Sequence, residues 1–547
     1  MNDIRWPRLL ERLVFASFLL SLLLGLLLPI YTDEVGWRMQ LRAGIDGGID
    51  RMISDICGPN TNAAPPLFMM PFRGVSAWLN LAFPDPLYVR IIGVGCAIIW
   101  AFLLRALIGR IAANDAQRNL LRTLIFALLG MGVLPLMLVM SRPDQIVLLA
   151  MTGAVYLAVL AVLAARRTAT GAISNWLWPF AIAALGVAAI SYHLKGVLIA
   201  PLILVCIFLS GPGRRTLTAR VLAMLLFAGL AAQGAHYWVE RFRCPDDPVL
   251  AERLAKQNIA SALLTGGDWR KVTMTALIGA NPNNYIMLAE ARKYPMSDWL
   301  PRGQIDNKAS IGRFIVMGLA WNVATVIAMF CLILGLRQRW RERRIDLATA
   351  VPVALAGLAM IWGISQRARN DYEIMIALPM LALFCVFSMT AIQWTARRTR
   401  QLGLGIATVA LSSLVGQADI ARRYYPLLRA AADQTGYVFR QPYSVSAYGF
   451  GPVRQTILET AKLCGIGRNG RAQRPLVDDI TYFAMIDSWR PFHRFGVLTA
   501  WNGSIKDPIA YLHSRGSEGM VVDCRALSLK LLPLAKRNGQ YCCISTR

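Results

Sequence analysis

Runs of about twenty predominantly apolar residues recur along the chain, separated by short stretches rich in Arg, Gly and Pro. Crossing a bilayer as a helix takes about 20 such residues. Eleven segments qualify: residues 12–30, 91–109, 120–140, 146–164, 174–191, 196–210, 220–238, 314–336, 349–365, 374–394 and 402–418. The first stays apolar up to Pro29 and Ile30, with no small-residue cleavage site before Tyr31, and is read as a retained signal anchor. Three longer pieces break the series, at 31–90, 239–313 and 419–547. The last mixes apolar runs, Gly519 to Asp523 and Gln540 to Ser545, with Gly and Pro turns, the pattern of a small α/β or β-rich domain. The expected fold is therefore mainly α: a polytopic membrane bundle of about 11 transmembrane helices over residues 1–418, then a C-terminal domain over 419–547.

Composition agrees with this reading. Of 547 residues, 56% are hydrophobic and 16% charged, well below the roughly one quarter charged in soluble domains. The net charge of +27 would suggest nucleic acid in a soluble protein, but here its placement decides. With the N-terminal Arg5, Arg8 and Arg12 on the cytoplasmic side, every second connection is basic: Arg105 to Arg122, Arg166 and Arg167, Arg214 to Arg220, Arg337 to Arg344, and Arg397 to Arg400. The excess thus reads as a positive-inside signal, and no nucleic-acid partner is expected. An odd number of spans puts the C-terminal domain on the opposite face, which fits a multi-pass protein of a bacterial inner membrane with that domain in the periplasm. Cys57, Cys244, Cys464, Cys524, Cys542 and Cys543 fall on that face, where disulfides form, while Cys96, Cys206, Cys331 and Cys385 fall within spans. Six cysteines allow fifteen pairings, and spacing alone selects none.

The two faces differ in chemistry. Cytoplasmic connections carry almost purely Arg, whereas the short outer ones mix acids and bases. The first span is followed by Tyr31-Thr-Asp33-Glu34-Val-Gly-Trp37-Arg38, where Arg38 can pair with Glu34 if the run is helical. Ser141-Arg142-Pro143-Asp144-Gln145 joins the third and fourth spans, Ser191-Tyr192-His193-Leu194-Lys195-Gly196 the fifth and sixth, and Gln366-Arg367-Ala-Arg369-Asn370-Asp371-Tyr372-Glu373 the ninth and tenth. Taken singly, each also reads as a solvated helix end, an interfacial ion pair or a snorkelling Lys. Their collection on one face is what points to function. A sugar carried on a polyprenyl phosphate keeps its tail in lipid and its phosphate at the water boundary, so an enzyme using it needs cations at that depth. Cations there stabilise the charge developing on the departing phosphate, and a carboxylate serves as base for the attacking hydroxyl.

At these residues the chain resembles the GT-C superfamily of membrane glycosyltransferases, in particular the branch of the protein O-mannosyltransferases, the lipid A aminoarabinose transferase and the rhizobial galacturonic acid transferases. Asp33-Glu34 with Trp37-Arg38 resembles the DE-x-x-[YW]-R motif that closes the first span. Ala64-Pro65-Pro66-Leu67-Phe68 is similar to a KPPLYY block, with Ala64 in place of Lys, and Tyr88-Val-Arg90-Ile91 to the Arg-containing start of the second span. Arg142-Pro143-Asp144 stands where a second acidic loop is expected, and His193 to Pro201 resembles LTKGPLALLLP, with Leu194 in place of Thr. Arg369 to Pro379 resembles R-x-x-Y-x-x-x-x-x-x-P. The likeness spans residues 1 to about 395 and leaves the tail unmatched.

The resemblance implies Asp33 as catalytic base, Glu34 and Asp144 supporting the acceptor, and Lys195, His193, Arg369 and Tyr372 on the donor phosphate, with Arg38, Arg142 and Arg367 in support. It allows a divalent cation, Mg or Mn, on Asp33, Glu34 and Asp144. The expected reaction moves a sugar, with inversion, from a polyprenyl-phosphate donor to a hydroxyl of a glycolipid, polysaccharide or protein. Membrane lipids are expected partners; the oligomeric state is not legible. Two other classes are weighed against it. A lipid-linked polysaccharide polymerase or ligase would carry its chemistry on a long outer loop. A transporter would place charges at the bilayer midplane or repeat its halves. Residues 68–83 read as a helix lying in the interface, and the 239–313 stretch is long enough for a lid.

Overall fold

The computed structural model describes residues 5–41, 57, 60–167, 172–211, 216–241, 243–246, 248, 251–252, 269–287, 307–343, 345–365, 374–440, 444–467, 475–486, 493–494, 507–514 and 517–546. Helix α1 (Arg5–Leu24) leads through β1 (Ile30–Tyr31) into α2 (Thr32–Leu41). There follow α3 (Met70–Ala82), α4 (Pro86–Ile111), α5 (Asp115–Gly130), α6 (Leu134–Leu138), α7 (Pro143–Arg167), α8 (Ala172–Tyr192), α9 (Lys195–Leu198), α10 (Ala200–Leu209) and α11 (Leu217–Glu240). Beyond them lie α12 (Trp269–Ala280), α13 (Pro282–Ile286), α14 (Asn307–Arg341), α15 (Leu347–Ser365), α16 (Ile374–Thr390) and α17 (Ala396–Ala432).

Every predicted span lies on a helix, with three differences of detail. Among the described residues seven helices are long and apolar enough to cross a membrane. The third segment is broken after Gly130, where Gly132 takes a left-handed conformation (φ 67°) before the five-residue α6. The sixth is split at Ile199 and continues as the ten-residue α10, whose rise of about 15 Å covers half of the hydrocarbon thickness. The eleventh extends well past residue 418: α17 runs unbroken to Ala432, so the C-terminal fold begins later than the hydropathy suggested.

Helix α16 is the hub. It is apolar all round, and every residue from Ile374 to Met389 is buried, as expected of a helix enclosed on all sides. Helices α5, α7, α14 and α15 pack around it. Outer helices such as α11, α14 and α17 keep exposed apolar faces, among them Leu225, Leu319, Val326, Leu404 and Val415. These are the lipid-facing stripes of the bundle. Helix α12 lies against α15, and the two backbones meet at glycines: a Cβ on Gly279 would stand 2.1 Å from the Cα of Gly363.

The C-terminal domain contains β2 (Ser444–Val445), α18 (Phe450–Leu463), β3 (Leu476–Val477), α19 (Asp479–Met485), β4 (His493–Arg494), α20 (Pro508–Ser514), β5 (Gly519–Asp523), β6 (Lys536–Asn538) and β7 (Tyr541–Ser545). Its five-stranded sheet has the order β4-β3-β5-β7-β6, parallel between β4, β3 and β5, antiparallel from β5 through β7 to β6. The domain is thus α/β with a mixed sheet. Disulfides Cys464–Cys543 and Cys524–Cys542 fasten it, and Cys57–Cys244 joins the connection after α2 to the one after α11. All six cysteines expected on the outer face are paired, and the four within the bundle are free.

Candidate active site

Helix α2 starts where the chain leaves α1, and its first turn carries Asp33 and Glu34. Carboxylates are favourable there because they face the unsatisfied N–H groups of the helix start. The two point to different partners. Glu34 is fully buried and forms an ion pair with Arg90 at 2.8 Å, while also accepting from the backbone N–H of Tyr31 (2.9 Å) and of Ser141 (2.7 Å). Arg90, itself fully buried, donates to the carbonyls of Leu28, Pro29 and Val139. This cluster joins α2, α4 and the loop before α7 into one block. The Glu34 carboxylate is thereby committed to holding the block together, where the resemblance implied a place beside the acceptor or a metal.

Asp33 turns the other way, with its side chain 37% exposed, and is contacted by Arg142 at 2.6 Å. Arg142 also reaches Asp144 (3.1 Å), and Asp144 in turn accepts from Lys195 at 2.6 Å. Four charged groups from α2, the start of α7 and the start of α9 therefore form one string: Asp33, Arg142, Asp144, Lys195. Only Asp33 combines a carboxylate with open access; Asp144 is 1% exposed. Lys195 lies 5.5 Å from the Trp362 ring centroid, a cation–π contact that places α15 beneath the string. Gly196 follows because the chain passes close to α8: a Cβ there would stand 2.2 Å from the Ala189 carbonyl oxygen.

His193 is partly buried between Trp37 and Trp238, with ring centroids 6.2 and 5.8 Å away. Burial, and then the charge of Lys195, push its pKa down to about 3, so the ring is neutral at physiological pH. Its Nδ1 accepts from the backbone N–H of Lys195 (3.1 Å), which leaves the proton on Nε2 as a single donor. His193 therefore offers a hydrogen bond and no charge. Arg38 does not pair with the Glu34 carboxylate as the spacing suggested. It donates to the Glu34 carbonyl (3.0 Å) and to Ser141 Oγ (2.9 Å), and its pKa falls to about 10, chiefly through burial, still leaving it protonated.

Among the described residues, two buried cations beside Trp238 escaped the sequence reading. Arg73, on α3, donates to the Ser191 carbonyl (3.1 Å) and sits 5.2 Å from the Trp238 ring. Arg241, at the end of α11, lies 4.8 Å from the same ring. The one available signal was that Arg73 is the lone cation in the apolar run from Phe68 to Phe83. Arg367, Arg369 and Tyr372 lie outside the described residues, as does most of the 239–313 stretch.

The carboxylates do not assemble a cation cage. Asp33 and Asp144 are bridged by Arg142, Glu34 is taken by Arg90, and among the described residues no group of three His, Cys, Asp or Glu is placed to hold a metal. Guanidinium and ammonium groups occupy the positions around these carboxylates, an arrangement that does not fit one divalent ion held by all three.

No protein-family model matches the chain, and no curated protein does. Among solved structures it is similar to the archaeal oligosaccharyltransferase AglB from Archaeoglobus fulgidus, in complex with an inhibitory peptide and a dolichol-phosphate. That match has 12% identity and a TM-score of 0.43, over 94% of this chain and 69% of that one. It is also similar to ArnT from Cupriavidus metallidurans bound to undecaprenyl phosphate, with 10% identity and a TM-score of 0.45, over 100% of this chain and 99% of that one.

Proposed function

We propose that the protein is an integral membrane glycosyltransferase of the GT-C superfamily that transfers a sugar from a polyprenyl-phosphate donor to an acceptor hydroxyl on the extracytoplasmic face, with its N-terminus in the cytoplasm of a bacterial cell. The observation that supports the reading is the string Asp33–Arg142–Asp144–Lys195, drawn from helices far apart in sequence to one point at helix ends. One end is an accessible carboxylate and the other is a cation.

The chemistry follows from the two ends. The acceptor hydroxyl oxygen attacks the anomeric carbon, the bond from that carbon to the phosphate oxygen breaks with its electron pair going to phosphate, and the hydroxyl proton passes to the Asp33 carboxylate. The products are the glycoside and polyprenyl phosphate, and Asp33 returns its proton to water. Arg142 orients the Asp33 carboxylate. Lys195 and the Nε2–H of His193 stabilise the departing phosphate, and Arg369 and Tyr372 join them in this assignment. Asp144 holds Arg142 and Lys195 apart at fixed positions, so the donor meets preorganised groups.

The test is reconstitution in liposomes with polyprenyl-phosphate sugars and candidate acceptors, following both released polyprenyl phosphate and covalent product by mass spectrometry. Transfer that requires Lys195 and disappears in Lys195→Ala is expected. Full donor turnover in Lys195→Ala would remove Lys195 from the phosphate assignment, and flux of the lipid or sugar without covalent transfer would overturn the enzyme reading.

A further inference from the structure

The segment Leu26–Tyr31, which connects α1 to the helix carrying Asp33, is gripped from two sides. On the bundle side Arg90 takes the carbonyls of Leu28 (3.0 Å) and Pro29 (2.7 Å). On the other side the grip comes from residues more than 400 positions away. Strand β2 pairs antiparallel with β1, Val445 opposite Ile30 and Ser444 opposite Tyr31, directly before Thr32 and Asp33. The Tyr448 hydroxyl donates to the Leu26 carbonyl at 3.1 Å. Helix α19 packs on α2, and Ile30, Val35 and Val89 share one buried apolar cluster with Val445, Ile457, Ile480 and Tyr482. The C-terminal domain is itself cross-tied: Cys464–Cys543 ties the end of α18 to β7, and the Asp478 side chain caps α19 by accepting from Thr481 N–H while also accepting from Asp523 N–H on β5.

We infer that the C-terminal domain is a positioning device for Asp33, with the β1–β2 pairing and Tyr448 as its points of action. This rests on the proposed base role of Asp33. A domain that merely captured acceptor would dock at a distance from the connection between α1 and α2. Here it supplies the strand that fixes the start of α2, and so sets where the Asp33 carboxylate stands against Arg142. Errors of about 1 Å in such placement cost up to about 10²-fold in rate. Tyr448 touches no reacting group, so its effect belongs in turnover and not in donor binding.

The experiment uses full-length protein in lipid nanodiscs and the variant Tyr448→Phe, which removes one hydroxyl and keeps the ring. Hydrogen exchange of the amides of Tyr31 to Val35 is measured alongside kcat and KM for the polyprenyl-phosphate sugar. Expected are faster exchange in that segment and a kcat lower by about tenfold with KM unchanged, a fraction of the full displacement effect. Restoring order with a cross-strand disulfide, Ile30→Cys with Val445→Cys in the Tyr448→Phe background, is expected to recover most of the lost kcat once oxidised. Unchanged exchange, or faster exchange with unchanged kcat, would overturn the inference. A raised KM with unchanged kcat would overturn it too, since that outcome makes the domain a substrate-binding element. Should the wild type transfer no sugar from any polyprenyl phosphate, the transferase reading fails, and the exchange measurement alone then decides whether the domain holds α2.

Discussion

The division of labour between Asp33 and Glu34 shows how two adjacent, identical charges take different tasks. Asp33 is accessible and faces one guanidinium; Glu34 is enclosed and saturated by Arg90 and two backbone donors. Asp33→Asn is therefore expected to lower kcat by about 10²- to 10⁴-fold, the usual worth of a general base, while the protein unfolds at its normal temperature. Activity within a few-fold of wild type would exclude Asp33 as base. Glu34→Ala is expected to act on stability: removing one partner of a buried ion pair costs about 3–5 kcal/mol, visible as a lower thermal midpoint in detergent. A variant that melts normally but is inactive would reverse the two roles. The sequence placed the acidic pair at the mouth of the first span, yet it could not separate these residues. Which of two neighbours meets Arg90 depends on the phase of α2, and β2 fixes that phase from the far end of the chain.

At the scale of elements, hydropathy located the helices because each must bury backbone polar groups in a medium without water. It misjudged ends and breaks where other forces act. Helix α17 continues past the apolar stretch as an amphipathic helix, burying Ile420, Tyr424 and Leu428. The α5–α6 break comes from a glycine turn. In the C-terminal domain, short apolar runs pointed to a small fold, α/β or β-rich, and left open both that choice and the order β4-β3-β5-β7-β6. One consequence is a pH dependence. Burial outweighs the hydrogen bonds to the Asp478 carboxyl and raises its pKa to about 6. Its folded pKa thus exceeds its unfolded value of about 3.9, so its contribution to stability is complete below about pH 4 and fades as pH rises through 6. Amide protection of β5 and β7, corrected for intrinsic exchange, is expected to decline between pH 4 and pH 7. A flat or rising profile would show that Asp478 stays ionised in the folded domain.

For the whole molecule, the alternation of basic connections predicts that the outer ends of α1 and α7 and the C-terminal domain share one side of the membrane. In sealed inside-out vesicles, protease is expected to reach the Arg337–Arg344 connection and spare the C-terminal domain; the opposite pattern would invert the topology. The Cys57–Cys244 bridge closes a separation of 187 residues, and chain entropy makes such a tie worth about 5 kcal/mol before any native-state strain. The paired variant Cys57→Ser/Cys244→Ser is expected to melt at a lower temperature than wild type, and an unchanged midpoint would show that the outer loops are held by packing alone. Convergence of Asp33, Arg142 and Lys195 was anticipated from their common side of the bilayer. The burial of Arg73 and Arg241 around Trp238 was not, since a cation at a helix end has the same appearance in sequence whether it faces solvent or a ring.

The glycine crossing of α12 and α15 carries a further meaning. Gly363 adjoins Trp362, whose ring underlies the Lys195 ammonium. A methyl group at position 279 would meet the Gly363 backbone, so a residue some eighty positions from Lys195 in the chain sets how closely α12 approaches the helix that carries the aromatic floor under that ammonium.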